Sequence, residues 1–408
     1  MKMKSSLFHQ SFQYYFGLVL VFFFTLGEAQ IPISLSTACE KAINRNPEIQ
    51  SSQLKIEYQE KIKTSYAVVD PLNISGEIGQ FNSDKTDNKI SVSQGFRLPN
   101  FYKSQKAVLA ENLKSAEIES EISKWQLKKQ IALVYNELVY LDEKEKLLQK
   151  TDSIYRTYFQ RAELRLKKGE SNILEKTTAE NYRSQATIQL QNLLKDREIT
   201  LQQFNYLINS EEKYQNEKEN FFSYIRCQTN EDFTGNAWVI KQLEQQKQIE
   251  NAKLKAEKSK LSPSFSLGIS SMTINVDTNG KRYQSGILGI GIPLFNSAQK
   301  SVIEGQKINQ QIAETQLQIG LRKIKNQYLN LKNEYQKIAS EQEYYKTKGL
   351  ANSKTIFSTA NRLFYQGEIN YLEWSILVNQ ALEIENKYID NQNILNQKSI
   401  EINSLKEI

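Results

Sequence analysis

Two stretches of the sequence decide the fold: KISVSQGFRLPNFYKSQK at residues 89–106 and YQSGILGIGIPLFNSAQK at residues 283–300. Each stretch alternates apolar residues with small or polar ones, as a half-buried strand does, and each then reaches a proline, Pro99 or Pro293. A long segment without proline follows each one. The order strand, proline and long helix therefore occurs twice. This repetition predicts an α+β, mostly α fold, in which a duplicated unit combines a two-stranded β-hairpin with a long coiled-coil helical hairpin.

The breaks in the pattern predict where each element lies. The first repeat (30–208) is predicted to begin with a short capped helix at 33–46 and a helix at 47–69. Strands at 72–83 and 89–98, a long helix at 100–168 and a helix at 171–207 are predicted to follow. A polar linker at 209–235 follows. The second repeat (236–408) is predicted to hold a helix at 236–261, strands at 264–273 and 285–294, a long helix at 297–366 and a helix at 370–405.

Chain-breaking residues support the duplication. Three pairs recur at spacings of 192, 194 and 198 residues: Pro71 and Pro263, Pro99 and Pro293, Gly169 and Gly367. The four prolines flank strands, where a fixed φ and a missing N–H end a β-ladder. Within the first long helix, apolar residues recur in steps of four and three, which predicts a coiled-coil seam at Leu127, Ile131, Val134, Leu138 and Leu141.

The N-terminal segment predicts export from the cytoplasm. Residues 1–29 have a basic start, an apolar run and small residues at Gly27 and Ala29, which is the pattern of a cleaved signal peptide. The apolar run is too short for a comfortable membrane span, and no later window is apolar enough, so we expect no transmembrane helix. An uncleaved anchor is the alternative. No cysteine directly follows the expected cleavage point, so a lipid anchor there is not expected.

Composition excludes several classes of function. His9 is the only histidine and lies in the signal segment, so catalysis or metal binding by histidine is excluded in the exported chain. No paired carboxylates or phosphate-binding loop occur, so we expect no enzyme activity, cofactor or metal site. The net charge of +7 is mild, and lysine alternates with glutamate along the helices, so nucleic acid is not an expected partner. Cys39 and Cys227 could pair in an oxidising compartment, which the sequence leaves open.

The predicted strands constrain the assembly. Four strands of about ten residues can cross a tilted path through a bilayer, but four cannot close a barrel, and open edges cannot lie in lipid. Membrane strands would therefore be pooled between protomers, and three copies would supply twelve. The alternative is a soluble four-stranded sheet capping a helical bundle. In the membrane interpretation, Phe96, Leu98, Ile290 and Ile292 face lipid, and Ser91, Ser93 and Arg97 face the lumen.

The sequence resembles the TolC-like outer membrane efflux proteins along essentially its whole length after the signal segment. The resemblance is carried by the twofold repeat, by RLPNFY (97–102) and GIPLFN (291–296) at strand ends, and by RAELRLKKGESNILE (161–175) and ANRLFYQGEINYLE (360–373) in the hairpins. It implies a homotrimer in the bacterial outer membrane. A twelve-stranded transmembrane β-barrel would cross the membrane, and an α-helical barrel would extend into the periplasm.

The same resemblance implies a function as the exit duct of a tripartite efflux pump. The partners would be outer membrane lipid, a periplasmic adaptor protein and an inner-membrane transporter. A duct for type I protein secretion is the alternative, and a periplasmic coiled-coil scaffold without a pore is a third possibility from another class. Such a scaffold would be soluble without detergent and would not conduct ions.

Candidate working residues follow from the resemblance. The two helix-turn-helix tips would meet the adaptor, which makes candidates of Leu166, Gly169, Phe364, Gly367 and Tyr371. Alternatively, the glycines only supply the positive φ that a helix end needs. A second set, Glu175 and Glu373, would form carboxylate rings that narrow the pore, or would simply be solvated glutamates in first helical turns. For Trp374 we favour packing within the coiled coil over contact with the adaptor.

Overall fold

The computed structural model describes residues 31–67, 69–81, 84–223, 225, 227, 237–274 and 281–406. The predicted signal peptide at 1–29 lies outside the described residues, as does part of the linker at 209–235. The helices are α1 (Leu35–Arg45), α2 (Pro47–Ile62), α3 (Pro99–Lys167), α4 (Ile173–Ile208), α5 (Trp238–Ser259), α6 (Ser297–Tyr344), α7 (Leu350–Gln366) and α8 (Tyr371–Lys406). The strands are β1 (Ile31–Ile33), β2 (Asn73–Gly79), β3 (Asp87–Arg97), β4 (Tyr214–Asn216), β5 (Ser264–Ile274) and β6 (Lys281–Gly291).

Four strands form one antiparallel sheet in the order β2–β3–β5–β6. Val92 of β3 pairs with Ile74 of β2 on one side and with Ile269 of β5 on the other. The two predicted hairpins are therefore joined through their inner strands. This arrangement leaves β2 and β6 as the two edges of the sheet.

The four junction prolines lie between helices and strands, which is where the sequence predicts them. The strand β3 ends at Arg97 and Pro99 is the first residue of α3, where the missing N–H costs no hydrogen bond. The strand β6 ends at Gly291, two residues before Pro293, so it stops earlier than the predicted 294. Pro71 precedes β2, and Pro263 lies between α5 and β5.

Each long helix is flanked by two shorter ones placed end to end. The helix α3 has 69 residues and so is about 100 Å long. On one side it packs against α2 near the sheet and α4 further away, and the Asn46 side chain at the start of α2 donates to the carbonyl of Leu207 near the end of α4. Along α6, helix α5 packs near the sheet and α8 packs near the other end. Within the described residues, no helix is long and apolar enough to cross a membrane.

The second long helix is not continuous, so the prediction of one helix over 297–366 was wrong in this detail. A π-helical turn at Tyr345–Gly349 separates α6 from α7. A Cβ atom at Gly349 would lie 2.9 Å from Cδ1 of Tyr345 in the same turn and 3.4 Å from Cγ2 of Ile384, so the glycine leaves space for the Tyr345 ring and lies against α8. The extra residue in a π turn changes the phase of the side chains, and a heptad pattern does not reveal it.

The main core follows the coiled coil. All five predicted seam residues of α3 are buried, and Leu127, Ile131 and Leu138 belong to a single large cluster with Phe204 and Ile208 of α4. A short parallel pairing of β1 with β4, which the sequence did not predict, holds the start of the described chain against the linker.

The disulfide that the sequence left open is not formed. Cys39 on α1 packs against the main core. Cys227 packs against a separate cluster made by α6 and α8, which includes Tyr328 and Ile402. The two thiols thus lie in different clusters and are not joined by a disulfide, which resolves the alternative that the sequence left open.

Candidate functional site

The sheet has one exposed apolar face. Because the strands pair in register, alternate residues of all four strands align on this face. Its members are Ile74, Ile78, Ile90, Val92, Phe96, Phe265, Leu267, Ile269, Leu288 and Ile290. Ile269 is 70% exposed and Leu288 is 84% exposed, and no helix of the described chain covers them. An apolar surface of this kind marks contact with a partner or with a membrane.

The opposite face is small, polar and crowded. Ser91 and Ser270 are buried there, and the hydroxyls of Ser270 and Ser285 are 2.7 Å apart in a hydrogen bond. A Cβ atom at Gly268 would come within 2.8 Å of the Cβ atom of Ser93, so only glycine fits beside that serine. Crowding on one face and exposure on the other indicate a sheet that curves around its small, polar face.

Of the four residues predicted to face lipid, two lie within the sheet and two lie beyond its ends. Phe96 and Ile290 lie on the exposed apolar face, whereas Ser91, Ser93 and Arg97 lie on the opposite one. Leu98 and Ile292 follow the ends of β3 and β6 and so lie outside the sheet. Burial of the apolar set in a core of this chain would have contradicted the membrane interpretation. The set is not buried there.

The tips of the two helical hairpins have the same type of turn. Gly169 has φ of +73° and Gly367 has φ of +76°, in the left-handed region that favours glycine. The amide of Gly169 donates to the carbonyl of Leu166, and the amide of Gly367 donates to that of Phe364, as in a Schellman helix end. Both glycines are exposed and a Cβ atom would meet nothing there, so backbone conformation alone explains them.

The two candidate gate glutamates both lie in helix caps, but only Glu373 takes part through its carboxylate. Glu373 and Asn370 form a reciprocal capping box: the Asn370 amide donates to Oε2 of Glu373 at 2.9 Å, and the Glu373 amide donates to Oδ1 of Asn370 at 3.0 Å. The Glu175 amide donates to Oδ1 of Asn172 in the same way. The Glu175 carboxylate differs because it pairs with Arg165 at 2.8 Å. For Glu373, no basic partner lies within ion-pair distance in the described chain.

An aromatic layer joins the two hairpins above their tips. We use this name for Tyr155 and Tyr158 of α3, Tyr182 of α4, Phe364 of α7, and Tyr371 and Trp374 of α8. The rings of Tyr158 and Trp374 stack with their centroids 3.6 Å apart, and Tyr158 also contacts Phe364 at 5.1 Å. The Trp374 indole donates to Oδ1 of Asn361 at 2.8 Å. Side chains from both hairpins thus share one packed layer.

The layer confirms one prediction and corrects another. Trp374 is 1% exposed, so it packs within the coiled coil as expected. Tyr371 is 5% exposed and stacks on Trp374, so the prediction that it meets an adaptor at the surface was wrong. Its hydroxyl and that of Tyr158 are buried without a hydrogen-bond partner among the described residues, and burial raises the pKa of both phenols.

Sequence reasoning missed Tyr158 of α3, Tyr182 of α4 and the two asparagine caps. The caps had a readable signal, because GESNILE (169–175) and GEINYLE (367–373) share glycine, glutamate, asparagine, leucine and glutamate at the same five positions. Tyr158 had none, since its ring partners Phe364, Tyr371 and Trp374 lie more than two hundred residues later in the chain. Nowhere in the described ranges do three or more His, Cys, Asp or Glu side chains group as metal ligands would.

Comparisons with known proteins fit this architecture. No protein-family model and no curated protein matches the sequence. Among solved structures, the chain is similar to a membrane protein from Pseudomonas aeruginosa (TM-score 0.77, 14% identity, covering 91% of this chain and 93% of that one). It is also similar to CusC (0.76, 16%, 92% and 93%) and to the open state of the MtrE outer membrane channel from Neisseria gonorrhoeae (0.74, 14%, 91% and 88%). The chain therefore has the fold of the TolC-like outer membrane channels.

Proposed function

We propose that the protein is an outer membrane channel that serves as the exit duct of a tripartite efflux pump. The observation that carries the proposal is the exposed apolar face of the sheet, set against a small polar face on the other side. In a homotrimer, three such sheets would close a twelve-stranded barrel with the polar faces inward. The helices would then continue the barrel as a periplasmic tunnel.

The helices near the sheet support ring closure. They form a row in the order α2, α3, α5, α6, because α3 packs against both α2 and α5 and α5 packs against α6. At one end of the row, Ile308, Ile312 and Ile319 of α6 are exposed on the side away from α5. At the other end, Leu54 and Tyr58 of α2 are exposed. Two different apolar edges suit the head-to-tail contacts that generate a ring.

The neighbouring structures supply the functional context. CusC forms a transmembrane channel, and MtrE is an outer membrane channel. We extend that role to this chain, and with it the periplasmic adaptor and the inner-membrane transporter as partners. The adaptor would meet the exposed parts of the two tips, around Gly169 and Gly367, where Leu174 and Leu372 also project into solvent.

The experiment that tests the function measures mass and conductance together. We expect the full chain, extracted in detergent, to have the mass of a trimer by light scattering, and to give discrete conductance steps in a planar bilayer. Both results follow if the apolar faces meet lipid and the polar faces line a pore. A monomer that stays soluble without detergent and never conducts would instead establish the scaffold.

We also propose that Glu373 contributes the carboxylate ring of a periplasmic gate. The Glu373→Gln variant keeps the capping box, because glutamine serves at that position too, while it removes the charge. We expect the variant to lose several-fold of the block by divalent cations in single-channel recordings. Glu175→Gln is the matched comparison and should change the block less, since Arg165 already neutralises Glu175. Unchanged block in Glu373→Gln would reject the gate.

A further inference from the structure

Four exposed lysines lie close to the sheet on the neighbouring helices α3 and α5: Lys103, Lys106, Lys255 and Lys258. We call them the lysine patch. None of the four has a carboxylate within ion-pair distance among the residues that the structure describes. Their neighbours Lys253 and Lys260 do, pairing with Glu250 at 2.9 Å and with Glu257 at 2.7 Å. The patch thus departs from the alternation of lysine and glutamate along the rest of the helices.

All four lysines lie on one side of the helical row. On the other side, a groove of about 400 Å³ is lined by Asn112 and Ser115 of α3 and by Gln246 and Ile249 of α5. Lys103 and Lys106 lie nine residues before Asn112 and Ser115, respectively. Lys255 and Lys258 lie nine residues after Gln246 and Ile249. Nine residues are two and a half helical turns, so each lysine points away from the groove. Phe101 lies eleven residues, or three turns, before Asn112 and so on the groove side of α3, and its ring contacts Arg97 of the polar face of the sheet at 5.5 Å. The groove therefore lies on the side of the polar face, and the patch lies on the side of the apolar face.

The patch follows directly after apolar surface. Lys103 and Lys106 lie four and seven residues beyond Pro99, which places them about 6 and 10 Å along α3. Leu294 and Phe295, between β6 and α6, are exposed, and Phe295 is 100% exposed. Moving away from the sheet, the surface therefore changes from apolar side chains to ammonium groups without a carboxylate partner, of which Lys106 also contacts the Tyr66 ring at 5.1 Å. A phospholipid leaflet has the complementary order, because its hydrocarbon core is followed by the phosphate groups of its headgroups.

We propose that the lysine patch binds the phosphate groups of anionic phospholipids in the leaflet next to the helices. The inference rests on the proposed function, since it requires the sheet to be in a membrane. Each ammonium group offers three donors and a full charge to a phosphate oxygen. On α3 and α5 themselves, the first carboxylates on the same sides, Glu117 and Glu244, lie about 16 Å further from the sheet, which is beyond the Debye length at physiological salt.

Native mass spectrometry of bound lipid tests the proposal. The full chain is reconstituted in vesicles of phosphatidylethanolamine with one-fifth phosphatidylglycerol, and the lipids that remain bound after release are counted. We expect the wild type to retain phosphatidylglycerol well above its share of the vesicle. Changing all four lysines to glutamine should reduce that enrichment roughly tenfold. High salt should reduce the enrichment in the wild type as well.

A matched variant separates position from charge. Changing four exposed lysines far from the sheet to glutamine, namely Lys323, Lys325, Lys337 and Lys354, removes the same charge and should leave the enrichment unchanged. Equal loss in both variants, or no loss in the patch variant, would overturn the proposal. So would a change of ion selectivity without a change in bound lipid, because the patch would then face the lumen. Failure of the wild type to insert or conduct would instead reject the proposed function.

Discussion

Replacing Ile269 with arginine is expected to prevent stable insertion into a membrane. Ile269 lies at the middle of the exposed apolar face, paired with Val92 and Gly286. A charged side chain on the lipid face of a membrane strand costs about 2–4 kcal/mol at the bilayer midplane, and a trimer would carry the substitution three times. Flotation with vesicles measures the inserted fraction, and heat-modifiable mobility on gels measures the assembled trimer.

The control for this variant is Ser285→Arg. Ser285 lies on the opposite, polar face of the sheet and pairs with Ser270, one position away from Ile269 along β5. At nearly the same depth, an arginine that faces a wet lumen should allow insertion and alter only conductance. Normal insertion of Ile269→Arg, or loss of insertion in Ser285→Arg alone, would mean that the faces are assigned the wrong way round.

The second large effect is expected at Trp374. Truncation to alanine removes the ring that stacks on Tyr158 and the indole that donates to Asn361, and it leaves a cavity between the two hairpins. Removing a buried tryptophan lowers the free energy of unfolding by about 3–5 kcal/mol. Denaturant unfolding in detergent, followed by circular dichroism, measures this loss. Trp374→Phe should restore much of it by refilling the layer.

Trp238→Ala provides the comparison. Trp238 is only partly buried at the start of α5, where its ring contacts the Lys241 ammonium group at 4.6 Å. We expect a cost of about 1 kcal/mol, because solvent already reaches the ring and little cavity forms. If truncation at Trp238 cost more than truncation at Trp374, the aromatic layer would not be the main link between the hairpins.

The sequence predicts this fold well wherever the signal is local. Pro99 and Pro293 mark the ends of strands, because proline cannot continue a β-ladder. Gly169 and Gly367 mark the ends of helices, because each takes a positive φ. The heptad seam of α3 predicts buried residues for the same reason: spacing along one helix decides which side chains face a neighbour.

The features that the sequence did not predict depend on distant partners. The π turn at Tyr345–Gly349 places Gly349 against Ile384 of α8, and the heptad pattern around the turn does not indicate this contact. Tyr371 follows a tip glycine directly, so its position suggested a surface contact. It is buried because Tyr158, more than two hundred residues earlier, stacks against it and Trp374. The pairing of β1 with β4 likewise joins segments that are far apart in the chain.

The edge strands β2 and β6 have a consequence for biogenesis. A single chain carries two edge strands whose outer backbone groups lack hydrogen-bond partners, together with an exposed apolar surface. This combination promotes aggregation. If the protein assembles in the outer membrane as proposed, the lone protomer is therefore prone to aggregate while it crosses the periplasm. The yield of assembled protein should then depend on how quickly three copies meet at the membrane relative to how quickly single copies aggregate. Holdase chaperones that shield the strands in transit would then limit production more than the folding of the long helices does.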